Sequence, residues 1–268
     1  MPKFTCKVCG VQHNAAQNPP ARCLICEDDR QYVREEGQQW VELEKHKNQH
    51  DTIWRKVEDN VYRLSITPHL VGIGQNAHFI QTQNGNYLWD CMPLVSDQLI
   101  EDIKARGGLK AIAISHPHFY SNVADWSAAF GNIPIYIHIN DRPWVQEASD
   151  NILFWEGDEL RLEDDLTLVK CGGHFNGSSV MHWSGTADGK GALFASDTIS
   201  PQKRINSISF MYSFPNVIPL PARKVAHIGK IIAPYKFDRL YGAFGQNVMP
   251  NADQLVQQSV KRYIKALE

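Results

Sequence analysis

Strand-like apolar runs gather from Ile53 onward, and their spacing predicts most of the elements. Residues 61–66, 77–82 and 87–91 read as strands, punctuated by turn signals at Gly72, Gly74 and Asn84-Gly85-Asn86. A helical segment at 95–106 leads through Gly107-Gly108 into a buried-looking strand at 109–115. A helix at 122–130 precedes a β-branched strand at 133–137, and further strands are expected at 166–171, 180–183 and 192–196. Helices at 222–232 and 252–266 flank a strand at 239–241. Mixed hairpins and βα units predict a layered α/β domain. Before it, residues 28–50 are polar, and 38–47 hold helix formers around Trp40, Val41 and Leu43, so a short connecting helix is expected there. The boundary is placed near residue 50, giving a module at 1–50 and a main domain at 51–268.

Composition narrows the class. The 268 residues are 43% hydrophobic, with seven Trp and eleven Phe, enough for a full core. A formal net charge of -2 argues against a nucleic-acid binder held by phosphate neutralisation. No apolar run approaches the roughly twenty residues that span a bilayer, and the start lacks the apolar core of a secretory signal. A cytoplasmic protein without a membrane partner is expected.

Four of the six cysteines lie in the first 26 residues, as Cys6-Lys7-Val8-Cys9-Gly10 and Cys23-Leu24-Ile25-Cys26. Each C-x-x-C knuckle lets two thiolates reach one ion, and two knuckles complete a closed tetrahedral shell. A closed shell keeps no open position for chemistry, so Cys6, Cys9, Cys23 and Cys26 are expected to hold a structural zinc. So short a segment would draw much of its folding free energy from that ion. A rubredoxin-like iron centre is the rival, since Cys6-x-x-Cys9-Gly10 is similar to that family's knuckle; Leu24 and Glu27 depart from it at the second. Cys91 and Cys171 read as buried apolar residues.

Chemistry in the main domain is expected at strand ends. His116-Pro117-His118 follows Ala111-Ile112-Ala113-Ile114-Ser115, His174 follows Cys171-Gly172-Gly173, and Asp197 follows Phe194-Ala195-Ser196. Three imidazoles and a carboxylate make a nitrogen–oxygen site for zinc or another first-row metal. His13, His46, His50, His138, His182 and His227 read as surface or hydrogen-bonded core residues.

Over residues 55–268 these motifs resemble the metallo-β-lactamase superfamily. His116 and His118 match the first two histidines of its HxHxDH motif, His174 its GHTPGS-type motif, Asp197 its bridging aspartate and Asp90 its early supporting aspartate. The resemblance implies a four-layer αβ/βα sandwich fused to the four-cysteine module. It also departs: Tyr120 and Ser121 stand where the motif has Asp and His, and the last histidine is missing from Tyr241-Gly242-Ala243-Phe244. Those positions normally form the second metal site, so a mononuclear site is expected. A smaller branch of the superfamily, with an N-terminal four-cysteine module, is similar at Gly72-Ile73-Gly74-Gln75-Asn76, Leu88-Trp89-Asp90-Cys91 and Ser213-Phe214-Pro215-Asn216.

The expectation for function is a metal-dependent hydrolase of a small acyl substrate (ester, thioester, lactone or amide), because two-metal clamps suit phosphodiesters better. Tyr120 is the candidate oxyanion donor or proton acceptor, or else fills the vacated metal space; Asp197 is a candidate catalytic group as well as ligand. His69, His78, Ser213 and Asn216 are expected in loops near the metal edge, contacting substrate. The alternative is a non-catalytic ligand-binding or interaction protein on a degenerate hydrolase scaffold, with iron-based redox chemistry a third reading.

Overall fold

Strand pairing begins inside the cysteine segment, where β1 (Thr5–Cys6) lies antiparallel to β2 (Trp40–Val41), Cys6 opposite Trp40. The computed structural model describes residues 1–202 and 207–268. They fall into two units, Met1–Ile137 with Arg142–Phe154, and His138–Asp141 with Trp155–Glu268.

The first unit carries a seven-stranded sheet in the order β3 (Asp51–Glu58), β4 (Val61–Thr67), β5 (Ala77–Thr82), β6 (Gly85–Trp89), β7 (Ala111–Ala113), β8 (Ile135–His138) and β9 (Ile152–Trp155). β3 to β6 form an antiparallel meander, whereas β6, β7 and β8 run parallel. Parallel neighbours need crossovers, supplied by α1 (Asp97–Ala105) and α2 (Val123–Ala129). Interior β7 is buried at every residue, as its unbroken Ala-Ile-Ala run requires. α1 starts where Ser96 Oγ accepts from Leu99 N at 3.2 Å, with Asp97 in the first turn, and gives way at Gly107-Gly108.

The second unit orders its sheet β10 (Glu159–Glu163), β11 (Leu166–Lys170), β12 (Ser179–Trp183), β13 (Ala192–Ser196), β18 (Arg239–Gly242) and β19 (Asn247–Val248). Two short ribbons intervene, β14 (Ser200–Pro201) with β15 (Ile208–Ser209), and β16 (Met211–Ser213) with β17 (Ile218–Pro219). Helices α3 (Ala222–Ile232) and α4 (Ala252–Leu267) cover one face, packing Val225, Ile228, Ile232, Val256 and Val260 on Val169, Val180, Leu193 and Leu240. Each such side chain, fully buried, contributes about 1.5–3 kcal/mol. Among the described residues no helix is long and apolar enough to cross a membrane.

The expected mixed α/β architecture is the one observed. The expected connecting helix at 38–47 is not: that stretch is β2 and a single 3-10 turn, Leu43–Lys45. Tertiary pairing overrides propensity there, since Gln39 O accepts from Lys7 N at 3.0 Å and β2 is drawn against β1. β9 and β10 had no counterpart in the expected elements.

Candidate metal centres

In the cysteine segment, Gly10 N donates to Cys6 O and Cys6 N to Val11 O, closing the first knuckle's turn. Cys6 Sγ lies 3.4 Å from Cys26 Sγ, and Cys9 Sγ 3.6 Å from Cys23 Sγ. A disulfide requires about 2.05 Å, whereas a tetrahedron of sulfurs around zinc at about 2.3 Å has edges of about 3.8 Å. None of the four is in a disulfide, and all are buried from solvent. Hydrogen bonds from the Cys26, Cys6 and Cys9 thiols hold Cys23 far below the ordinary thiol range. Cys26, facing Cys23 and Cys6, is pushed far up, as is Cys9 by burial and Cys23. Only a cation lets four thiolates coexist there. Gln38 Nε2 donates to Cys6 Sγ at 3.0 Å. The donor set therefore fits a soft or borderline ion such as zinc or iron.

His116 and His118 leave β7 on a pinned segment. Asp90, just past β6 at φ 62°, accepts from Ser115 N at 2.8 Å and donates its own N–H to Ala113 O at 2.9 Å. A non-glycine residue in the left-handed region is costly and clusters at functional sites. His116 opens a 3-10 turn over Pro117–Phe119, and its Nδ1 lies 2.9 Å from Ser115 Oγ. The two imidazole centroids are 5.1 Å apart. Ser121, at φ 47°, closes the segment by donating its hydroxyl to Cys91 O at 3.1 Å.

His174 depends on two glycines after β11. Gly172 and Gly173 take φ of 64° and 91°, and a Cβ on Gly173 would lie 3.0 Å from both Ile228 and Leu220. His174 Nδ1 is 3.1 Å from Met211 O; a carbonyl only accepts, so Nδ1 carries the proton and Nε2 keeps its lone pair. Gly177 N donates to Asp141 Oδ1 at 2.7 Å and Phe175 N to Ser178 Oγ at 2.7 Å, fixing the loop beyond. Asp197 follows β13 through Ser196, also left-handed at φ 47°.

One donor atom each from His116, His118, His174 and Asp197 lies within 4.8 Å of the other three, and all four residues are buried. Three imidazoles and a carboxylate at that separation suit a first-row divalent metal. Tyr120 is buried and lines a narrow cleft with Gln12, Ser121 and Glu147. Ser213 is buried in β16, two residues from the Met211 carbonyl on His174, and its hydroxyl accepts from Asn216 N at 3.2 Å. His69 lines a separate cleft with His50, Leu43 and Leu94. His78 is not in a loop: it is a buried residue of β5, opposite Arg63 of β4 and Trp89 of β6. The first four residues of this interior strand are all buried, and the strand expected at 77–82 already included this position. Gln38 and Ser115, which support the donors, carry no motif, since a single hydrogen bond to a ligand needs no fixed spacing.

No family model matches the chain. The structure is similar to VMB-1 (TM-score 0.62, 16% identity, 81% of this chain and 99% of that one). It is also similar to the metallo-β-lactamase FIM-1 from Pseudomonas aeruginosa in a mono-zinc form (TM-score 0.57, 13% identity, 80% and 96% covered). These likenesses establish the metallo-β-lactamase fold. The uncharacterized protein YmaE of Bacillus subtilis (strain 168) is 47% identical over 269 aligned residues, covering 100% of this chain and 97% of that protein. The chain, whose metallo-β-lactamase fold carries a four-cysteine cluster near the N-terminus, belongs to one family with YmaE.

Proposed function

We propose that this protein is a metal-dependent hydrolase of a small acyl compound, an ester, thioester, lactone or amide. The observation that carries the reading is the buried convergence of His116, His118, His174 and Asp197. His116, His118 and His174 would hold one metal, with Asp197 as fourth or outer ligand. Zinc suits this donor set, as it suits the four cysteines. A metal bound there supplies Lewis acidity, polarising a carbonyl and making water more acidic.

The chain's own residues do the rest. Met211 O orients the His174 ring, and Asp90 fixes the start of the His116 segment through Ser115 N. Asp197 accepts a proton from water or orients it. Tyr120, two residues beyond His118, donates to the oxygen that gains charge as the carbonyl is attacked. Ser213 and Asn216, in the segment that abuts His174, contact the acyl group. Tyr120 and Ser121 replace the Asp and His of the second metal site, and this favours carbonyl substrates over phosphodiesters, whose two oxygens call for two ions.

The deciding measurement is metal content by plasma mass spectrometry, on the parent and on the His116→Ala/His174→Ala double variant. Two metals per chain in the parent and one in the variant are expected. Turnover is then sought across ester, thioester and lactone panels. One metal in both chains would end the enzyme reading and leave a ligand-binding protein on a hydrolase scaffold.

A further inference from the structure

The Gly72-Ile73-Gly74-Gln75-Asn76 segment takes no part in the hydrolytic reading, yet its glutamine is only 2% exposed and fully engaged. Gln75 Oε1 accepts from Ile73 N at 2.8 Å, and this fixes the orientation of the amide. Its Nε2 donates to Cys9 O at 2.7 Å and to His118 O at 3.1 Å. Both N–H bonds of the amide are thereby used. One side chain thus ties the peptide of a cysteine ligand to the peptide of a histidine ligand.

The loop is shaped for this contact. Gly72 sits at φ +82°, and a Cβ there would lie 2.4 Å from Gln75 Oε1. Gly72 N also donates to Lys7 O at 3.2 Å, inside the first knuckle. A second link runs the same way, from Gln12 N to Ser121 O at 2.9 Å, just beyond the knuckle and just beyond Tyr120. Metal ligands must be held to about 0.5 Å for tight binding, so what fixes their backbone sets affinity.

We propose that Gln75 is a positioning residue coupling the two centres: an ion on the four cysteines fixes the Cys9 carbonyl, Gln75 transmits that to His118, and the histidine centre binds its metal more tightly. Coupling of binding free energies is reciprocal, so a filled histidine centre also tightens the cysteine centre. The proposal rests on the reading that both donor sets hold metal.

The test is cobalt(II) titration of the whole chain. Thiolate-to-cobalt charge transfer reports the cysteine centre, and visible bands lost in His116→Ala report the histidine centre. Gln75→Ala is expected to bind cobalt at the histidine centre about 10- to 100-fold more weakly than the parent. Gln75→Met, similar in length but unable to donate, replaces it should the alanine variant not fold. A purely structural role is separated by adding Cys26→Ser. With Gln75 present, that change weakens the histidine centre too; in the Gln75→Met background it weakens it no further. Affinity at the histidine centre within twofold of the parent in the Gln75 variant, or additive effects of the two changes, would overturn the coupling alone. A parent spectrum with no bands sensitive to His116→Ala would overturn the mononuclear reading, and the coupling with it.

Discussion

At the scale of single residues, His78 shows what burial does to a titrating ring. Burial, reinforced by the Arg63 charge across the ladder, lowers its pKa to about 3. An unfolded imidazole takes its proton near 6.5. Between those values the unfolded chain binds a proton the folded chain refuses, so stability falls as pH drops from about 6.5 to 3, by about 1.4 kcal/mol per pH unit. Replacing His78 with Gln is expected to flatten that limb, read as a smaller Tm loss between pH 7 and pH 4.5 than the parent shows. Equal losses would assign the acid sensitivity to other groups. Tyr120 yields a kinetic prediction. Tyr120→Phe is expected to retain both metals and the parental KM while kcat falls about 100-fold, the magnitude of one oxyanion donor. An unchanged kcat would make Tyr120 a filler of the vacated metal space.

Among the elements, the ends of strands matter more than their middles. The turn after β11 needs left-handed backbone at two successive residues, and a Cβ on Gly173 would crowd the Ile228 and Leu220 methyls at 3.0 Å. Gly173→Ala is expected to destabilise by about 1–3 kcal/mol, seen in urea denaturation. It should also release metal from the histidine centre while the cysteine centre stays filled. Full retention of both metals would show that the turn tolerates the change. The same elements explain what could be read beforehand. β7 and β13 are continuous apolar runs and α3 carries Val225, Ile228 and Ile232 at helical spacing, so local pattern and tertiary burial agree there. The donors stand out because His, Cys and Asp at strand ends are chemically conspicuous. Residues 38–47 misled because a helix-forming composition was outweighed by pairing with Thr5–Cys6, a partner more than thirty positions away. Gln75 was visible only as part of a motif, since nothing in its residue type announces which carbonyls it will meet.

For the molecule as a whole, the first fifty residues hold one two-stranded ribbon and a single 3-10 turn, so an ion on the four cysteines is expected to supply much of this segment's stability. Chelation is expected to lower Tm and added zinc to raise it, with about 1.4 kcal/mol of stability gained for each tenfold excess over Kd. A Tm indifferent to both would mean that the segment folds on side-chain packing alone.

All six cysteines are shielded from solvent, and Cys171, with burial pushing its thiol up to about 12, is chemically inert while the fold is closed. The chain therefore carries six internal clocks. An alkylating reagent can advance only as fast as the structure opens, so its labelling order ranks the regions by opening rate. Early loss of Cys6, Cys9, Cys23 and Cys26, with Cys91 and Cys171 still protected, would record departure of the ion as an event separate from global unfolding.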